Sequence, residues 1–293
     1  MKVSGESSKN PGTQFINGTI DIATDDMMTN IVTVHYTYVT AKTSKGTDDS
    51  RFAVLQNIIN GTLCSVMEHG ADKAAKLRVD TSIGLNEFYS NRNGTEDLVS
   101  IKRNEGGFIH TTQTIAANEM MRNTFKCDMV INKVRRIEAD EERNRPESMI
   151  IGGCIFDFRK AILPVEFTVT NPTGMDYFDS LEVTEKTPCF TQVSGSQISR
   201  VITVRRESQG SFGEPLVEES TTTQRDFIVN WAAGETYEWD SEDSITANEL
   251  KEKIQERNLY LAGVKQRQDE YNASRAASTG AATAPVSASG FNF

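Results

Sequence analysis

The ten residues IVTVHYTYVT (31 to 40) alternate so regularly that a strand is the only regular structure they fit. A period of two places Val32, Val34, Tyr36 and Tyr38 on one face and Ile31, Thr33, His35, Thr37 and Val39 on the other. Strand signals of this kind recur along most of the chain. They are FINGTIDIAT (15 to 24), KLRVD (76 to 80), LVSIKR (98 to 103), GFIHTTQTI (107 to 115), MIIGGCIFDF (149 to 158), AILPVEFTVT (161 to 170), CFTQV (189 to 193), SRVITVRRE (199 to 207) and RDFIVNWA (225 to 232). The longest, TFKCDMVINKVRRIEA (124 to 139), changes register toward Val134 and Ile137, which predicts a bulge or bend. Asn-Gly pairs at Asn17, Asn60 and Asn93 supply the positive φ of tight turns. Within the strand-rich region, helical spacing occurs at Arg51 to His69, which fits one helix or a helix broken near Asn60-Gly61, and in a short segment at Met175 to Leu181. A mainly β chain with minor α follows, built as antiparallel barrels or sandwiches rather than a doubly wound sheet.

Five regions are expected. Residues 1–13 form a flexible polar arm, and 14–232 form the β-rich body, either one elaborated barrel or two units divided near 120. Residues 233–245 are acidic, with Glu235, Glu238, Asp240, Glu242 and Asp243 and no base. Thr246 and Glu249 have the spacing of a capping box and open a helix expected over 246–272. Its stripe of Leu250, Ile254, Leu261, Val264 and Tyr271 is interrupted by Arg257 and Gln268, so it fits a short coiled coil or a helix docked on the body. Residues 273–293, rich in Ala, Ser, Thr and Gly, are expected as a disordered tail carrying Phe291 and Phe293.

Catalytic signatures are missing from the sequence. It has no phosphate-binding glycine loop, no HExxH and no GxSxG, its three histidines are scattered, and Cys64, Cys127, Cys154 and Cys189 form no CxxC pair. The expectation is a protein that is not an enzyme and uses no metal or cofactor, with reduced thiols in a cytosolic compartment. No apolar run approaches the roughly 20 residues that span a bilayer, so no membrane association is expected. The net charge of -10 argues against a general polycation for duplex DNA and leaves room for a local basic groove.

Such a groove is suggested by cations interleaved with rings: Lys102 and Arg103 before Phe108 and His110, Lys126 leading to Lys133, Arg135 and Arg136, then Phe156, Phe158, Arg159 and Lys160, and last Arg200, Arg205 and Arg206. Single-stranded nucleic acid requires both, cations along the phosphates and flat side chains under the bases. Core packing of the rings and a solvated face of cations is the competing explanation for each residue taken singly.

FINGTIDIAT with IVTVHYTYVT, the long stretch from Thr124 to Glu182, and the order of folded body, acidic segment, linker and aromatic tip resemble the single-stranded DNA-binding proteins of tailed bacteriophages and prophages, of OB-fold type. The resemblance implies an OB-like barrel or barrels that bind and protect single-stranded DNA during phage DNA replication or recombination in the host cytoplasm. It also implies recruitment of protein partners through Phe291 and Phe293. Here the acidic residues precede a neutral linker instead of adjoining the tip, a departure from that layout. The acidic segment is also expected to fold over the basic face when DNA is absent. The alternatives are a virion structural protein and a helix-mediated adaptor without nucleic-acid binding.

Overall fold

A computed structural model describes residues 2–6, 13–92, 95–140, 146–208, 212–213, 216–241 and 244–280. The chain is mainly β; the described residues form ten strands in two successive structures, followed by one long helix. The first structure contains β1 (Lys2–Glu6), β2 (Gln14–Ala23), β3 (Ile31–Thr40), β4 (Leu77–Arg92) and β5 (Thr95–Thr111), in the order β1-β2-β3-β5-β4, so residues 2–6 pair with β2 as an edge strand where a flexible arm is expected. Helices α1 (Ser50–Ile59) and α2 (Val66–His69) lie between β3 and β4, so of the two expected forms the broken one is present, with Asn60-Gly61 following α1. The second structure contains β6 (Thr124–Ile137), β7 (Ser148–Phe156), β8 (Ile162–Val169), β9 (Cys189–Ser208) and β10 (Leu216–Ala232), with α3 (Pro172–Ser180) between β8 and β9. Its order is β6-β7-β8-β10-β9, and β9 returns to β6 to close a barrel.

The two structures repeat one topology. In each, the first three strands form an antiparallel meander, and a helix capped by Asp49 or Asn171 follows the third. The fourth and fifth strands make a long hairpin, and the fifth runs parallel to the third over two registered pairs, Val34 and His35 with Asn104 and Glu105, then Thr168 and Val169 with Ile228 and Val229. They differ in closure: among the described residues the second joins its first and fourth strands and the first does not.

Barrel curvature comes from bulges set against glycines. Register shifts between Ile131 and Lys133 and between Val229 and Trp231, and the facing positions are Gly153 and Gly195. A Cβ on Gly153 would stand 1.9 Å from the Val130 carbonyl oxygen, and one on Gly195 1.8 Å from that of Ile228. The missing side chains let the strands approach where the sheet bends. Inside, Met129, Ile131, Met149, Ile151, Phe167, Val193 and Phe227 form the core, roofed by Met175 and Phe178 of α3. A separate core in the first structure gathers Ile16, Val34, Tyr36 and Val39 with Phe52 and Leu55 of α1.

One break in alternation matters for function. Register shifts between Ile16 and Gly18 on β2, so β3 carries an extra residue there, and Val39 is buried while Tyr38 is 44% exposed. Strict alternation puts Tyr38 beside Tyr36 on the core face; the bulge turns it outward.

Polar groups fix the two structures to each other. The Gln197 carbonyl accepts from the side-chain amides of Asn123 at 2.6 Å and Asn30 at 3.3 Å, and its Oε1 accepts from Asn104 Nδ2 at 2.9 Å. The Ser199 amide donates to Asn30 Oδ1 at 2.6 Å. On the other side of the interface Ile83 and Leu85 pack on the barrel core.

Helix α4 (Ala247–Gly280) begins with the expected capping box: the Glu249 amide donates to Thr246 Oγ1 at 3.1 Å and the Thr246 amide to Glu249 Oε2 at 2.9 Å. It continues eight residues past the expected end at 272, where the alanines of NASRAAS carry a high intrinsic helix propensity. The helix docks on the body rather than standing free as a coiled-coil strand. Val264 is buried, and the two polar residues that interrupt its stripe make the docking contacts: Arg257 pairs with Glu87, and Gln268 receives the Tyr89 amide at 3.0 Å while donating to the Tyr89 carbonyl. Gln268 thus satisfies backbone groups on the outer edge of β4 as a further strand would. No helix among the described residues is long and apolar enough to cross a membrane.

Candidate nucleic-acid interface

The cations and rings singled out in the sequence do not share one groove. Lys102 sits in the interface, where its ammonium donates to the Glu166 carbonyl and lies 5.6 Å and 5.5 Å from the centres of the Phe167 and Phe227 rings. Burial pushes its pKa below the ordinary lysine value. Since the folded state then holds the proton less tightly than the unfolded chain, stability rises with pH in the window just below 10.5. Lys102→Met keeps the stem, removes this slope and leaves stability at neutral pH within about 1 kcal/mol, whereas Lys102→Glu costs about 3 kcal/mol or more by placing an unpaired carboxylate against two rings. Urea unfolding at neutral and alkaline pH measures both.

Arg136 is engaged by three carboxylates, donating to Asp179 at 2.6 Å, Glu147 at 2.9 Å and Asp176 at 3.0 Å, which raise its pKa and clasp α3 to β6. Phe156 packs edge-on against Phe190, 6.3 Å between centres. Lys133 and Arg135 are exposed on β6, with Lys133 3.8 Å from Glu166. Phe158, Arg159 and Lys160 form the turn between β7 and β8, where Phe158 is 85% exposed beneath the Arg159 guanidinium. Phe108 and His110 are exposed near the end of β5. Lys126 lies 6.0 Å from the ring of Trp231 on the barrel's outer β6-β9-β10 surface. Arg200, Arg205 and Arg206 occupy β9 positions facing Gln224, Glu219 and Glu218, so acidic positions oppose two of the three. Phe291 and Phe293 lie outside the described residues.

The acidic segment reaches Phe190 of β9 and Asp128 of β6. Among its described residues, Tyr237 and Trp239 pack on Phe190 at 4.8 and 6.1 Å, the Tyr237 amide donates to the Phe190 carbonyl at 2.8 Å, and its hydroxyl bonds Asp128 at 3.0 Å. Aromatic packing, rather than charge, sets its path along β9.

A more coherent surface is the outer face of β2 and β3. Phe15 and Tyr38 pair there with centres 4.9 Å apart, Phe15 half-buried and Tyr38 exposed. Beside them a hollow of about 250 Å³ is lined by Asn17, Thr19, His35, Thr37 and Arg103. Arg103 pairs with Glu105, and Arg225, at the base of the β9-β10 hairpin, contributes to the local field. Burial, then Arg103 and Arg225, hold the His35 imidazole below its ordinary value, so it is neutral at pH 7. The outer face of β2 and β3 offers flat rings and hydroxyl and amide groups, with Arg103 of β5 alongside. Of these residues the sequence reading placed only Arg103 in the interface. The signal for Phe15 and Tyr38 was the pair of rings on adjacent strands, obscured because the bulge in β3 leaves no mark on the alternation.

The family model that describes YorF matches residues 1–276, so it spans both β structures and nearly all of α4. This chain belongs to the YorF family. No curated protein and no solved structure matches it. Membership in YorF therefore attaches to the whole tandem arrangement rather than to either half.

The four cysteines are free, and burial pushes the thiol of Cys127 up to about 12 and that of Cys154 up to about 11, values at which a thiolate nucleophile is scarce at neutral pH.

Proposed function

We propose that this YorF-family protein is a tandem OB-fold protein that binds single-stranded DNA and supports phage DNA replication or recombination in the bacterial host cytoplasm. The observation that carries the reading is the Phe15-Tyr38 ring pair on the second and third strands of a five-stranded unit, beside a hollow that Arg103 of the fifth strand also lines. OB folds take oligonucleotides on that face, and stacking contributes about 1–3 kcal/mol per base irrespective of sequence. The strand order, the parallel third and fifth strands and the helix between the third and fourth support an OB-like assignment for both units. Resemblance to phage single-stranded DNA-binding proteins points the same way, and the net charge of -10 disfavours duplex DNA. The adaptor reading is weaker, since α4 turns Val264, Arg257 and Gln268 toward the body.

Fluorescence anisotropy with labelled oligo-dT and a duplex of equal length, at low and moderate salt, tests the proposal. Binding of oligo-dT that weakens as salt rises, with weaker duplex binding, is expected. Equal affinity for both, or none for either at low salt, returns the protein to the virion structural reading.

A further inference from the structure

We infer that α4 is a displaceable strap over the barrel's own nucleic-acid face, so that a strand too long for the β2-β3 face binds by prising α4 away. This rests on the function proposed above and adds its regulation. Strands β7 and β8 are the counterparts of β2 and β3 in the repeated topology. In the first unit that face is uncovered; in the barrel it is partly covered. The β4-β5 hairpin flanks it and Arg257 and Leu261 of α4 overhang it, leaving an open hollow of about 630 Å³ bordered by Lys133, Gly152, Pro164 and Glu166. A space of that size accommodates a nucleotide-sized group.

What holds the overhang is polar and peripheral. Of the 34 residues of α4, Val264 is the single apolar side chain buried among those described, so the hydrophobic hold on the body is small. The remaining contacts are the Arg257 pair with Glu87, an Arg257 bond to the Ile162 carbonyl at 3.3 Å, the Gln268 bonds to Tyr89, and Lys265 paired with Glu96. Two of these anchors are cations bound to carboxylates, and an arriving phosphate backbone competes for the same cations. The capping box at Thr246 and Glu249 lets α4 remain helical when it detaches. Tyr237 and Trp239, seated on Phe190, keep its near end tethered.

The test pairs wild type with Lys265→Ala/Gln268→Ala and uses oligo-dT of about 8 and about 30 nucleotides, one and two OB site sizes. Anisotropy and amide hydrogen exchange are the readouts, and unchanged protection of β6 and β9 confirms that the variant is folded. The strap predicts at least a five-fold gain in affinity of the variant for the long oligonucleotide with no change for the short one. In wild type, the long oligonucleotide alone should deprotect residues 250 to 271. Retained protection of those amides in the saturated long complex, or equal long-oligonucleotide affinity of variant and wild type, overturns it. If neither oligonucleotide binds, the proposed function fails separately. The strap is then judged in the free protein, where α4 amides that exchange only with global unfolding overturn it and amides that exchange by a separate, faster opening support it.

Discussion

Replacing Phe15 and Tyr38 together by Ala is expected to lower affinity for oligo-dT by about 100-fold, the loss of two stacked bases at about 1–3 kcal/mol each. Both rings lie outside the core that contains Ile16 and Val39, so the melting temperature should fall by only a few degrees. Tyr38→Phe should bind nearly as wild type, since the stacking surface is kept. An equal loss of affinity and of stability would mean that the rings brace the sheet and the DNA path lies elsewhere. The Lys126-Trp231 surface, where Trp231 is 50% exposed, is then the next candidate.

Gly195→Ala is expected to destabilise the protein by about 3 kcal/mol or more, well above the usual effect of adding one methyl group. Its Cβ would meet the Ile228 carbonyl oxygen, a backbone atom of β10, so relief requires the β9-β10 ladder to open locally. Gly152→Ala is the control: a Cβ there meets its nearest neighbours at 3.6 Å, ordinary contact. Urea unfolding of the two variants should separate them by about 2 kcal/mol, and equal values would contradict the bulge-and-glycine account of barrel curvature.

Much of the architecture is legible because it depends on local pattern. Alternation in TFKCDMVINKVRRIEA and the drift near Val134 forecast a bulged strand, and the bulge stands between Ile131 and Lys133. Spacing from Arg51 to His69 forecast helix there, whole or broken near Asn60-Gly61, and the structure has the broken form, α1 and α2. The capping box forecast the start of α4. The repeat of one topology was hidden, because strand order is a property of non-local pairing and the two halves reach it with unrelated residues, Asp49 capping one helix and Asn171 the other. Interface residues were the least legible. Cation-rich strands look alike whether a lysine faces solvent, as Lys133 does, or rests on two rings, as Lys102 does, and only tertiary packing separates them. Tyr38 shows the limit in one residue: an inserted position in β3 reverses its face without altering any neighbouring residue type.

The most direct test of the central claim is photo-cross-linking of the full chain to oligo-dT carrying halogenated uracil, with the attached residues located by mass spectrometry. Binding on the outer face of β2 and β3 predicts cross-links at Phe15 or Tyr38, lost when the same residue is changed to Ala and diminished at high salt. Cross-links confined to the β6-β9-β10 surface around Trp231, with Phe15 and Tyr38 unmodified, would contradict the claim.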